Sequence, residues 1–442
     1  MPQPRHLQPT SQTELRGGAL GKLPVNWRKS VCPTSGILRP HLARDQADAS
    51  PSTFLSSSTM SDEEVLPYPN QTLAQHHFVL SNPKLGHLHV DARTALAAGI
   101  QADEMAPYAR LLSIDGLIDQ TALTAMETRN KEELEKLDAR LKEAEETEGE
   151  TEISDALRAR ASYLTRIGEK DRAVEAQKLA LEKTPGLGAR IDIALTLVRI
   201  GMFFGDRDLV NQNITKAENL VDQGGDWDRR NRLKVYRGIH LLSIRQFKRA
   251  SELLLDSLST FTASELVDYN RFVVYVVVCG TLVLSRPDLK KKILSSPEVN
   301  QVMPEINDLA DYTSSLYECQ YAKFFQALAS LEQTHLLPSR LLNPHARFYV
   351  REMRILAYSQ LLESYRSLTL DSLAGAFGVS VEFIDRDLSR FIASNRLNCT
   401  IDAVRSVVET TRPSTKNAQY ETVVRTGDIL LNEVQKLSRV LC

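Results

Sequence analysis

Cysteine is scarce and scattered. The chain's 442 residues include five, Cys32, Cys279, Cys319, Cys399 and Cys442, and no two form a CxxC pair. An odd, dispersed set argues against a disulfide scaffold and favours a reducing compartment. Long apolar runs are missing too. The most apolar stretch, FVVYVVVCGTLVL at 272–284, has 13 residues, too few to span a bilayer, and is expected to be a buried core segment. The first thirty residues hold no compact apolar run of the secretory kind. Excess charge of one sign is also lacking: the net charge is -2, which gives no electrostatic footprint for broad nucleic-acid binding. Neither HExxH nor GxSxG occurs, and GGALGKL at 17–23 has neither the length nor the Ser/Thr of a phosphate-binding loop.

Histidine chemistry is equally thin. His87 and His89 with Asp91 form the one metal-like grouping, yet HLHVDARTALAAGI runs directly into an apolar helix, and two isolated ligands do not close a site. A turn-and-cap role is expected there. Lys290, Lys291 and Lys292 read as a solvated helix face. Arg229, Arg230, Arg232, Lys234 and Arg237 are denser and are a candidate partner-facing basic patch, where complementary charge would set orientation. No catalytic residue, cofactor or metal is expected.

What the chain does have is helical periodicity. Residues 1–59 mix Pro, Ser, Thr, Gln and Gly with seven basic and three acidic residues, and read as a disordered extension. The texture changes at Met60, so Met1 and Met60 both stand as candidate starts. Residues 60–150 form an N-terminal helical region with a charged linker. Within it Leu134, Leu137 and Leu141 mark an amphipathic helix, and EAEETEGETE at 143–152 is expected to be a solvated break.

Residues 151–285 carry three helix–turn–helix segments, at 158–185, 191–221 and 231–258. Gly168 and Gly205 sit at comparable turns 37 residues apart, and Ser243 falls near the third. That period is close to tetratricopeptide-type repeats, although the full consensus is absent. A lone helix pair of this size cannot cover its apolar face. Stacked pairs can, so a solenoid is expected, with Ala173 and Ala250 allowing close helix approach and Gly224–Gly225 making an inter-repeat turn beside a packed Trp227. Four prolines, at 287, 297, 304 and 338, divide the next region into short helices. A long amphipathic helix over 346–368 follows, with Tyr349, Met353, Ala357 and Leu361 on one face.

The most specific pattern lies at 369–410. Thr369 can cap a helix carrying Leu370, Leu373, Ala374 and Phe377. Gly378 permits a sharp turn, and Ser380 opens a second helix with Val381, Ile384, Leu388 and Phe391 on one stripe. Leu397, Cys399 and Ile401 then alternate as a strand, with a second strand near Val404 and Val407. Helix, turn, helix and hairpin make a winged helix. Its second helix carries Glu382, Asp385 and Asp387 against Arg386 and Arg390, the wrong balance for DNA phosphates, so protein contacts are expected. A last amphipathic helix over 427–441 bears Ile429, Leu430, Val434, Leu437 and Val440, with no aromatic anchor for a membrane surface.

These segments resemble the helical-repeat PCI subunits of the proteasome regulatory lid over roughly 61–442. The likeness rests on YPNQTLAQHHFVLS, NRLKVYRGIHLLSIRQFKRASELLLDSLSTF, FVVYVVVCGTLVLSRPDLKKKIL, GVSVEFIDRDLSRFIASNRLNCTIDAVRSVVETTRP and GDILLNEVQKLSRVL. It implies an all-α fold: a TPR-like right-handed solenoid, a PCI domain over 286–410 with its winged helix at 369–410, and a linker and bundle helix over 411–442. It also implies a non-catalytic subunit in the cytoplasm and nucleus, joined to other PCI lid subunits through winged-helix edges and C-terminal helices. The lid deubiquitinase and the ATPase ring would be its neighbours in ubiquitin-dependent degradation, with no nucleic acid or membrane partner. Leu370, Phe377, Ile384, Phe391 and Ile401 would support the PCI fold, and Leu430, Val434 and Leu437 would enter the helical bundle. The alternative relative is a COP9 signalosome scaffold acting in cullin deneddylation.

Overall fold

In the computed structural model, residues 66–113, 116–147, 149–411 and 415–441 are described; the expectations for residues 1–59 lie outside them. Three helices open the described chain: α1 (Gln71–Ser81), α2 (His89–Ala102) and α3 (Ala106–Leu112). Asn70 starts α1 by accepting a hydrogen bond from the Thr72 amide at 3.0 Å. His89 begins α2, and its Nε2 lies 3.0 Å from the Asn82 carbonyl. Long α4 (Gln120–Thr147) comes next, and α5 (Glu150–Ile167) starts almost at once. The acidic run at 143–152 is therefore mostly helical. Glutamates favour helix, and Leu134 and Leu141 keep α4 seated against the first repeat.

The repeats are α5 with α6 (Lys170–Lys183), α7 (Leu187–Phe204) with α8 (Arg207–Asp222), and α9 (Trp227–Ser243) with α10 (Phe247–Asp256). Gly168 and Gly205 close the first helix of their pairs in left-handed conformation, each with φ +77°. In the third pair that position belongs to Arg245, φ +67°, not Ser243. A side chain at positive φ is strained. Here it is held: the guanidinium lies 5.0 Å from the Phe348 ring centre, and Nε donates to His345 Nδ1 at 3.3 Å. The first three helices fold back onto this arm. Leu73, Leu96, Ile100 and Tyr108 share a cluster with Phe203 of α7. Gln71 donates to the Arg199 carbonyl at 2.9 Å, and Arg199 donates to the Leu66 carbonyl at 2.5 Å.

The apolar run becomes α11 (Tyr269–Val283), buried on all sides from Phe272 to Thr281. Short α12 (Arg286–Leu289) and α13 (Pro297–Val302) lead to α14 (Asn307–Tyr317), α15 (Tyr321–Leu331) and α16 (Ala346–Ser364). Strand β1 (Ser367–Thr369), α17 (Leu370–Phe377), α18 (Val381–Ala393), β2 (Cys399–Asp402) and β3 (Val407–Thr410) complete the winged helix. The sheet order is β1-β3-β2, both pairs antiparallel. Strand β1 has no counterpart in the sequence reading, and Val404 lies in the hairpin tip rather than in a strand. The final helix, α19, spans Thr415–Leu441, twelve residues more at its start than the periodicity at 427–441 suggested. No described helix is long and apolar enough to cross a membrane.

Replacing Gly168 by Ala is expected to lower stability by about 1–2 kcal/mol from the left-handed backbone alone. The added Cβ would also stand 2.7 Å from Met105 Cε and 3.0 Å from Tyr108 Cβ, so the loss should exceed that range. Urea unfolding of the full chain measures it.

Candidate assembly surface

The winged helix is built on α16. Its buried residues Leu370, Phe377, Ile384 and Phe391 come from α17 and α18, and Ile401 on β2 is half-buried against them. Phe377 is the centre of an aromatic cluster, with ring centres 4.8 Å from Tyr358, 5.0 Å from Tyr321 and 5.0 Å from Phe325. Thr369 caps α17 by accepting from the Ser372 amide at 3.3 Å. Gly378 ends it at φ +65°. Ser380 occupies the cap of α18, but its side chain makes no capping hydrogen bond.

Ion pairs fix the module's orientation. Asp387 lies on the apolar stripe of α18, buried, and accepts from Arg354 of α16 at 2.7 Å. Glu352 of α16, also buried, pairs with Arg396 after α18 and with Arg351 at 3.2 Å. The sequence reading counted Asp387 as a surface acid. Its spacing from Ile384, Leu388 and Phe391 places it at a core position instead, and that spacing was the available clue.

Locked this way, α18 turns outward Val381, Glu382, Phe383, Asp385, Arg386, Ser389 and Arg390, a face of mixed charge. Strands β1 and β2 are the two edges of this sheet among the described residues. Val404 at the hairpin tip is 95% exposed.

On α19 every described side chain from Lys416 to Ser438, and Arg439 after it, is exposed. Tyr420, Val423, Gly427, Leu430, Val434 and Leu437 recur at alternating intervals of three and four, which is a heptad seam. Val424 and Leu431 widen it on one side. Leu430, Val434 and Leu437 therefore share one uncovered face, each more than half exposed.

The basic side chains of the α9 segment are paired within the chain. Arg229 pairs with Asp192 at 2.7 Å and Asp226 at 2.5 Å. Arg232 reaches Asp228 at 2.8 Å, Glu265 at 3.6 Å and Asp192 at 3.8 Å. Lys234 pairs with Asp256 at 2.5 Å, and Arg237 pairs with Glu218. Arg230 donates to the Gly225 carbonyl at 3.1 Å. Asp226 and Asp228 belong to the start of α9 itself, whereas Asp192, Glu218, Asp256 and Glu265 come from other elements and are invisible to a reading of α9 alone. Trp227, expected to be packed, is 65% exposed.

Replacing Arg354 by Met should strand the Asp387 carboxylate and cost about 3 kcal/mol, whereas Arg354→Met with Asp387→Leu should recover most of that loss. Chemical denaturation of the two variants distinguishes a paired charge from simple packing.

Known proteins match this chain over most of its length. Residues 119–292 match the family described as 26S proteasome subunit RPN7, residues 309–412 match the PCI domain, and residues 419–441 match the RPN7/PSMD6 C-terminal helix of the 26S proteasome regulatory subunit. The 26S proteasome non-ATPase regulatory subunit 6 of Oryza sativa subsp. japonica is 43% identical over 382 residues, covering 86% of this chain and 98% of that protein. The 26S proteasome regulatory subunit rpn7 of Schizosaccharomyces pombe is 43% identical over 376 residues, 83% of this chain and 94% of that protein. Its Saccharomyces cerevisiae namesake is 38% identical over 402 residues, 85% and 94% of the two chains. With its PCI fold, its terminal helix and relatives matched almost end to end, the chain belongs to the RPN7 / non-ATPase regulatory subunit 6 family of the 26S proteasome.

Proposed function

We propose that the chain is a non-catalytic structural subunit of the proteasome regulatory lid, supporting lid assembly and so ubiquitin-dependent degradation. The observation that carries this reading is the exposed apolar face of α19, on which Leu430, Val434 and Leu437 are each more than half exposed. Exposed apolar surface of that extent is retained where a partner covers it.

The parts divide the work. The region over 60–150 and the repeats over 151–285 form the arm. The PCI domain over 286–410 presents its winged-helix edges to neighbouring PCI subunits. The segment 411–442 delivers α19 to a bundle of C-terminal helices, with Leu430, Val434 and Leu437 at its interior. Leu370, Phe377, Ile384, Phe391 and Ile401 act beneath the interface, by holding the winged helix in shape. The deubiquitinase and the ATPase ring are neighbours in the complex. The protein works in cytoplasm and nucleus, and no cofactor enters this role. The family membership favours the proteasome over the signalosome reading.

Deleting 427–442, or replacing Leu430, Val434 and Leu437 together by Ser, should remove the subunit from assembled lid on native gels. The circular dichroism melting curve of the remaining fold should be unchanged apart from the helix removed. Incorporation at the parental level by both variants would overturn the reading.

A further inference from the structure

A cavity of about 640 Å³ opens where α1, α8, α9 and α11 meet the loop leading into α16. That volume lies within the range of small-molecule sites. Three of its walls each supply an arginine: Arg207 from the first turn of α8, Arg271 from the first turn of α11, and Arg340 from the loop. Elsewhere in the fold arginines at such junctions find carboxylates, as Arg229, Arg232 and Arg354 do. Among the described residues, none of these three guanidinium groups forms an ion pair or a hydrogen bond with protein.

The acids that share the cavity do not neutralise them. Asp206 is held by Lys170 at 3.0 Å and caps α8 through the Leu209 amide. Glu265 accepts from Tyr236 at 2.9 Å and faces Arg232. Only Asp268, at the start of α11, is left without an ion pair, so arginine is in excess.

The site is also built. The Arg340 amide donates to Gln75 Oε1 at 2.9 Å, and the Gln75 amide nitrogen donates to the Pro338 carbonyl, fastening the loop to α1. The Arg340 guanidinium lies beside Gly205, at ordinary contact distance, 3.5 Å, from where a Cβ would stand. The buried His240 lines the cavity with a ring that makes no hydrogen bond to described protein atoms. The positive field also reaches its neighbours. Burial first, and then Arg271, Arg340 and Arg207 respectively, hold His76, His77 and His240 below the ordinary histidine range.

We propose that this cavity binds a small polyanion carrying more than one phosphate group, gripped by Arg207, Arg271 and Arg340. Guanidinium matches phosphate oxygens in paired hydrogen bonds. Cations on three separate walls suit a ligand with several anionic groups. Such a ligand would tie α1, the repeat arm and the entry to α16 together, and so stiffen the arm relative to the winged helix.

Calorimetric titration of the full chain with tripolyphosphate tests this. One-to-one saturable binding is expected, surviving an equal ionic strength of sodium chloride. Arg271→Gln and Arg340→Gln should each weaken it by about tenfold or more, the loss of one paired contact. Lys178→Gln, on the exposed face of α6, should leave it unchanged. Arg271 is exposed at a helix start, so its variant should melt with the parent and report on binding alone. Absence of saturable binding would overturn the proposal, as would equal affinity in Arg271→Gln and the parent, or abolition by sodium chloride.

Discussion

Helix α11 imposes the constraint around which the rest of the fold is arranged. Ten successive residues, Phe272 to Thr281, are buried, so the helix has no solvent face and must be enclosed on every side. The last repeat covers it from one direction, and α13, α14 and α16 cover it from others. Gly280 lets Ile293 approach where a Cβ would stand 2.5 Å from Cδ1. The polar atoms trapped in this shell satisfy one another: Tyr349 OH lies 2.7 Å from Tyr312 OH and 2.9 Å from Thr281 Oγ1. An unmatched hydroxyl there would cost roughly 1–3 kcal/mol. One continuous core consequently runs from Ile191 in the repeats to Val408 in the wing. The arm and the PCI module share it.

Features set by local chemistry were the ones readable in the sequence. The burial of Phe272 to Thr281, the turns at Gly168, Gly205 and Gly378, the Thr369 cap and the stripe through Ile384, Leu388 and Phe391 follow from residue type and spacing alone. What escaped depends on distant partners. Arg245 adopts a left-handed conformation because Phe348 and His345, about a hundred residues away, hold its side chain. Strand β1 is three residues long and exists because β3 pairs with it. The arginines of α9 read as a patch until Asp192, Glu218, Asp256 and Glu265 are brought beside them. Of the candidate assembly residues, the periodicity identified both groups as apolar stripes. It could not tell that one stripe is interior and the other bare.

Buried charge in the winged helix serves orientation more than stability. An ion pair out of water repays its desolvation only with good geometry. The two pairs from α16, Arg354 with Asp387 and Glu352 with Arg396, grip α18 at its middle and just beyond its end. Two such points forbid rotation of α18 about its own axis, which aromatic packing around Phe377 alone would resist less specifically. The outward set on α18 is thereby held in one fixed attitude relative to α16.

Helices α11 and α19 answer opposite versions of the same problem. Both carry more apolar side chains than water tolerates, but α11 is apolar around its circumference and α19 along a stripe. The pattern on α19 separates possible covers. A seam restricted to two positions per heptad would suit a two-stranded coil. Here Val424 and Leu431 extend the seam of Tyr420, Val423, Leu430, Val434 and Leu437 to a third position, the width that core-facing helices of a bundle present. Gly427 sits in the seam with open space where its Cβ would be, so another backbone can come close there. The opposite faces alternate Glu421, Arg425, Asp428, Lys436 and Arg439, which keeps the helix hydrated while it waits. A stripe of that width, exposed among the described residues, has the breadth of a core-facing bundle helix rather than of a two-stranded seam.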